Sequence, residues 1–145
     1  LHGIREGESR IWREGILIQS GTYKNDIQIG EWLQPEQNDS GYNFTSDLCR
    51  GTFSNGIKTG LWKCRSSAGY LTRTAFHDEQ GHLQGNVYSF SNWGLLSRIR
   101  HYKDGLLDGL SRDFSPYGEE TLIWYRNDER LDSAPPENAE SPDNP

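Results

Sequence analysis

Few residues in this chain have the types and spacing for chemistry, and most of them fall in one short stretch. His77-Asp78-Glu79-Gln80-Gly81-His82 sets two imidazoles and two carboxylates within six positions. These are donor types that could hold a transition metal and activate a water. The same composition also describes a solvated turn, since Asp and Gly suit tight turns, and that plainer reading is the expected one. Catalysis also needs a nucleophile, a base and an orienting group converging on one site. The chain has no G-x-S-x-G elbow, no H-E-x-x-H pair and no glycine-rich phosphate loop. The sequence therefore points to a protein that is not an enzyme and needs no cofactor or metal.

The elements that carry these residues are written as a repeat. Residues 21–32 read GTYKNDIQIGEW and residues 51–62 read GTFSNGIKTGLW, thirty positions apart. Extending the comparison gives five units, opened by Gly7, Gly30, Gly60, Gly85 and Gly109, with steps of 23, 30, 25 and 24 residues. Tyr23, Phe53, Phe76, Tyr102 and Tyr125 recur as the unit aromatics, and Trp12, Trp32, Trp62, Phe90 and Phe114 extend the expected core set. Each unit holds two strand-forming runs separated by turn residues, so each is a β-hairpin. One hairpin cannot bury its own apolar face, so stability must come from stacking on neighbours. The expected fold is all-β, an elongated single-layer antiparallel sheet of about five hairpins and on the order of 50 Å long. Glycines at unit openings and turns suit positive φ or a ring lying over them.

YKNDIQIG at 23–30, FSNGIKTG at 53–60 and YKDGLLDG at 102–109 follow an aromatic-x-x-Gly-x-x-x-Gly pattern, with Asp26 in place of the first glycine. FHDEQGHLQG carries two extra residues before Gly81. In these motifs the chain resembles MORN-repeat proteins of the bacterial short-unit kind, over residues 1–131. The resemblance implies a binding module. Bacterial proteins of this kind are often immunity proteins or antitoxins that block a cognate secreted toxin, some of them lipase effectors. The alternative it carries is a MORN scaffold or membrane-apposed structural protein, the role of eukaryotic arrays.

Cys49 and Cys64 are the two cysteines. If Phe53 faces Gly60 across the FSNGIKTG turn, antiparallel register sets Cys49 opposite Cys64. A disulfide is the favoured reading and two buried thiols the alternative. A disulfide would place the chain in an oxidising compartment such as a bacterial periplasm, with the cytoplasm as the alternative.

The composition is 32% apolar with a mean hydropathy of −0.87, which suits a thin sheet better than a thick closed core. No run of 18 apolar residues is present, so a membrane association is not expected. The net charge of −6 argues against nucleic acid and anionic lipid. Residues 132–145 form an acidic, proline-rich tail. The chain has no methionine, even at position 1; a cleaved signal peptide and a trimmed start both account for this.

The expected partner is a protein, and three surfaces are candidates for it. Trp93 and Tyr117 each precede a turn glycine, in SNWG and SPYG, and would stand on adjacent hairpin tips. Their alternative role is to cap the sheet by packing on each other. Trp124, with Thr22, Thr52, Ala75 and His101 as its equivalents and Arg50 and Arg73 beside it, would form a column on the face opposite the unit aromatics. The third surface is an inserted loop at about 34–48, bearing Tyr42 and Phe44. That loop also carries two N-glycosylation patterns, at Asn38 and Asn43, which would mark it as exposed in a secreted eukaryotic protein.

Overall fold

A computed structural model of the chain describes residues 3–36, 47–91 and 93–135. Its elements are β1 (Gly7–Arg13), β2 (Ile16–Lys24), β3 (Ile27–Pro35), β4 (Leu48–Ser54), β5 (Ile57–Arg65), β6 (Leu71–His77), β7 (Gly85–Phe90), β8 (Leu96–Lys103), β9 (Leu106–Leu107), β10 (Gly109–Phe114), β11 (Glu120–Arg126) and β12 (Glu129–Leu131). No helix occurs among the described residues. The strands form one open antiparallel sheet in the order β1-β2-β3-β4-β5-β6-β7-β8-β10-β11-β12, with β9 paired only to β8. Chain order and spatial order coincide, so the protein is a single-layer meander of hairpins, as the repeat requires. The insertion is narrower than the composition suggested. Gln34 and Pro35 belong to β3 and pair with Cys49 and Leu48, leaving 36–47 as the connection.

Turn chemistry explains the pitch. Five two-residue turns, beginning at Glu14, Asn25, Asn55, Asp104 and Asn127, hold both residues at positive φ, 50–52° for the first and 66–85° for the second. That hand matches the twist of the flanking strands and favours Asn, Asp and Gly. Asp26 and Asp128 occupy the place where other turns have glycine, and their carboxylates have work to do there. Asp26 Oδ1 accepts the Arg5 N–H at 2.7 Å, and Asp128 Oδ1 accepts the Leu107 N–H at 2.6 Å. The N–H groups of Asp26, Gly56, Gly105 and Asp128 donate to the carbonyls of Arg5, Gln28, Leu83 and Leu107, each two residues before a unit-opening glycine. Each such turn is thereby pinned to the unit before it.

The opening glycines all sit at φ between 68° and 90°. Opposite them in register stand Tyr23, Phe53, His77, Tyr102 and Tyr125. In the third unit the aromatic position therefore belongs to His77, not to Phe76. Phe76 pairs with Leu61 on the other face and is 48% exposed, because the insertion at this turn displaces the phase by one residue. Trp12, on the edge strand β1, is also outside the core at 60% exposure.

Two columns on one face build the interior. Trp32, Trp62, Val87 and Ser111, each two residues after an opening glycine, are all buried. The preceding strands offer Gly21, Gly51, Ala75 and Arg100 in the companion column, two residues before the unit aromatic. As the companion grows from glycine to arginine, the residue beside it shrinks from tryptophan to serine, which conserves packed volume. Rings lie over Gly21 and Gly51, while nothing lies within 4 Å of a Cβ placed on Gly7, Gly30, Gly60 or Gly85. The opening glycines thus serve backbone conformation, and the glycine of each Gly-Thr-aromatic motif serves packing. Tyr23, Trp32, Phe53 and Trp62 run edge to face with centroid separations of 4.9, 6.1 and 5.2 Å, and the Cys49–Cys64 disulfide lies in the same cluster.

Candidate functional site

The meander puts its turns alternately on two long edges. On one edge lie three turns built on a single plan, SSAGY at 66–70, SNWGL at 91–95 and SPYGE at 115–119. In each, the N–H of the first residue donates to the carbonyl of the fifth, and the glycine N–H donates back to the first carbonyl. Ser91 Oγ accepts the N–H groups of Trp93 and Leu95 at 3.3 and 3.2 Å, and Ser115 Oγ accepts those of Tyr117 and Glu119 at 3.3 and 3.1 Å. A serine at the first position thus fixes the turn locally. The aromatic before the glycine is left free of that framework. Trp93 is 78% exposed and Tyr117 93% exposed.

Between these two tips lies a cavity of about 480 Å³, lined chiefly by Trp93, Leu95, Leu96, Phe114, Pro116 and Gly118. Its wall is apolar and open to solvent at a place where β-strands no longer pair. Tyr70 lengthens this surface: it is exposed, and a Cβ placed on Gly94 would come 3.3 Å from its Cδ1. Tyr70 stands after the turn glycine instead of before it, so the aromatic-Gly pattern of Trp93 and Tyr117 does not include it. The repeated S-x-x-G spacing is the signal that reveals it.

The other two candidate surfaces fare differently. Trp124 pairs with Leu110 and Leu131, on the face away from Tyr125, and is half-buried. Its column is Thr22, Thr52, Phe76 and His101, because Ala75 turns inward. Arg50 and Arg73 do not flank it together. Arg50 pairs with Lys63 and Arg73 with Cys64, and these neighbours in β5 point to opposite faces. Tyr42 and Phe44 lie outside the described residues.

The HDEQGH stretch closes the opposite edge as a turn on the same five-residue plan, with Asp78 in the serine's place. Asp78 Oδ1 accepts the N–H groups of Gln80 and His82, both at 2.9 Å, and Oδ2 accepts Gln84 Nε2 at 2.9 Å. The Gln84 hydrogen bond, ahead of the turn N–H groups, holds the Asp78 carboxyl below the usual range. Among the described residues no group of three His, Cys, Asp or Glu side chains is placed to hold a metal ion.

One charged cluster bears on stability. Asp113 receives Arg100 at 2.6 Å and Arg98 at 3.3 Å, and the Arg100 hydrogen bond holds its pKa below the ordinary carboxylate value. A folded pKa lower than the unfolded one gives stability that is present above about pH 4 and lost as pH falls through the folded value. Asp113→Asn should therefore lower the melting temperature at pH 6, and the gap to the parent protein should close below pH 3. Thermal scans across that range check it; a gap independent of pH would mean that Asp113 acts through packing alone.

The fold and its tip edge define an open sheet of successive hairpins, stabilised by an internal aromatic row and a disulfide compatible with an oxidising environment. No protein-family model matches the chain, and no curated protein matches it.

Proposed function

We propose that this chain is a protein-binding module of the MORN-repeat type, an immunity protein or antitoxin that neutralises a cognate secreted antibacterial toxin, of which a lipase-type effector is one class. The observation that carries the reading is the pair of exposed rings, Trp93 and Tyr117, held on serine-fixed tips beside an apolar cavity. Trp and Tyr are the residues most often found as binding anchors, and rings presented on a rigid frame lose little entropy when a partner arrives. The sheet supplies that frame. The disulfide fits work in the periplasm, where such a toxin would be met.

The test is affinity capture from the source organism with the chain as bait, followed by titration of the captured protein. Trp93→Ala/Tyr117→Ala should weaken its binding by about a hundredfold or more, since hot-spot rings each contribute about 2 kcal/mol or more. The double variant's melting temperature should stay within about 2 °C of the parent, because solvent-exposed substitutions cost little. Co-expression with the captured protein should also relieve its toxicity. Recovery of lipid in place of protein would favour the scaffold reading, and full binding by the double variant would remove the tip edge as the interface.

A further inference from the structure

Charge is distributed unevenly along the sheet. Residues 57–103, which contain β5 to β8, hold seven Lys and Arg against Asp78 and Glu79, a net +5 that leaves −11 on the rest of the chain. Lys63, Arg65 and Lys103 of this block are exposed, and water solvates them at little cost. Lys58 and Arg73 differ. Both are half-buried and share the face of Trp62: Lys58 pairs with Phe53, Arg73 pairs with Cys64, and the Lys58 ammonium lies 4.8 Å above the Trp62 ring.

Across the same row, Arg73 pairs with Ser89, Ser89 with Arg98, and Arg98 with Asp113. Asp113 answers both Arg98 and Arg100, so each of those two cations already has a carboxylate partner. Among the described residues no carboxylate forms a salt bridge with Lys58 or Arg73. Two cations that are partly desolvated, close together and without a salt bridge are held at an energetic cost, which an incoming anion would reduce. Burial first, and then Arg73, push the Lys58 ammonium below its ordinary value against the pull of Glu36. His77, on the same face opposite Gly60, is pushed down by burial and further by Lys58 and Arg73, while the Gly81 carbonyl and Asp78 oppose this. In both shifts burial leads and the neighbouring positive charge adds to it.

We propose that the Trp62 face binds an acidic polypeptide segment, whose carboxylates sit on Lys58 and Arg73. This rests on the reading of the chain as a polypeptide-binding protein and specifies the chemistry of what it binds. Nucleic acid fits the face less well. Lys58 and Arg73 are two cations, too few to track a phosphate backbone, and Phe53 and Trp62 are buried and give bases no stacking platform.

The test uses the whole chain and a fluorescently labelled decaglutamate peptide at low salt. The parent protein should bind it. Arg73→Gln should weaken binding about tenfold, as loss of a charge-assisted contact does, and Lys58→Gln/Arg73→Gln should weaken it further. Arg73→Gln touches none of the aromatic row, so it carries the test alone if the double variant fails to fold. Lys24→Gln/Lys103→Gln removes two charges from the opposite face and should leave affinity within about twofold, since distant exposed charges are largely screened. Absence of binding, equal weakening by this control, or tighter binding of decathymidylate would each overturn the proposal. Failure here with partner capture still dependent on Trp93 would leave the protein-binding reading intact; peptide binding without any captured partner would sink the toxin-neutralising reading instead.

Discussion

Gly51→Ala should destabilise the protein by about 3 kcal/mol and lower its melting temperature by roughly 10 °C, although it adds a single methyl group. The Cβ would sit 2.0 Å from Trp62 Cδ2 and 2.2 Å from Cε2, so the indole must leave its place. It has nowhere near to go. Phe53 meets it edge-on at 5.2 Å, Lys58 covers it at 4.8 Å, and Trp62 is almost fully buried. Displacing it therefore exposes apolar surface and opens the contact with the disulfide cluster. The fourth unit suggests the rescue, because the equivalent pair there is Ala75 and Val87, smaller ring-side and larger strand-side. Gly51→Ala/Trp62→Val copies that pair. Its cost should fall short of the sum of the two single costs by about 1 kcal/mol or more, the signature of residues that share one space. Additive costs, or a Gly51→Ala variant melting within about 2 °C of the parent, would mean that the ring does not press on residue 51.

This pairing also marks where the sequence could be read and where it could not. The hairpin period, the turn chemistry and the absence of helix among the described residues follow from local signals, since Asn-Gly and Asp-Gly turns and the spacing of glycines act within a few residues. Which glycine does which task is not local. Gly30 and Gly51 look alike in the sequence, yet the first serves a left-handed backbone and the second lies beneath an indole eleven residues further on. The third unit shows the same limit. An insertion in its turn moves the phase by one, so His77 takes the aromatic position and Phe76 faces out, and only strand register reveals that. At the candidate site, Trp93 and Tyr117 were legible because they break the repeat at an exposed turn. Tyr70 was not, because its approach to Gly94 depends on how one tip leans on the next.

Cys49 and Cys64 face each other in register, although Phe53 and Gly60 do not. Phe53 faces Lys58, not Gly60, and the strands slip by two residues around Gly51, after which Cys49 faces Cys64. The slip is where Trp62 crosses Gly51, so the packing that seats the indole also aligns the sulfurs. The bond joins residues 15 apart in sequence, and closing a loop of that size removes about 3 kcal/mol of chain entropy from the unfolded state. Cys49→Ala/Cys64→Ala should therefore cost about 3 kcal/mol, with a further loss because two buried groups become smaller inside the aromatic cluster. Thermal unfolding should shift down by about 10 °C, and reducing the parent protein before the scan should reproduce most of that shift. Both sulfurs are buried, so a thiol reductant can reach them only when the β4–β5 hairpin opens. Reduction at 25 °C should accordingly be slow and should accelerate with denaturant, following the opening equilibrium. Fast reduction of the folded protein would show that this hairpin opens on its own. The aromatic row would then be held together by the sheet on either side of it, with the disulfide contributing little.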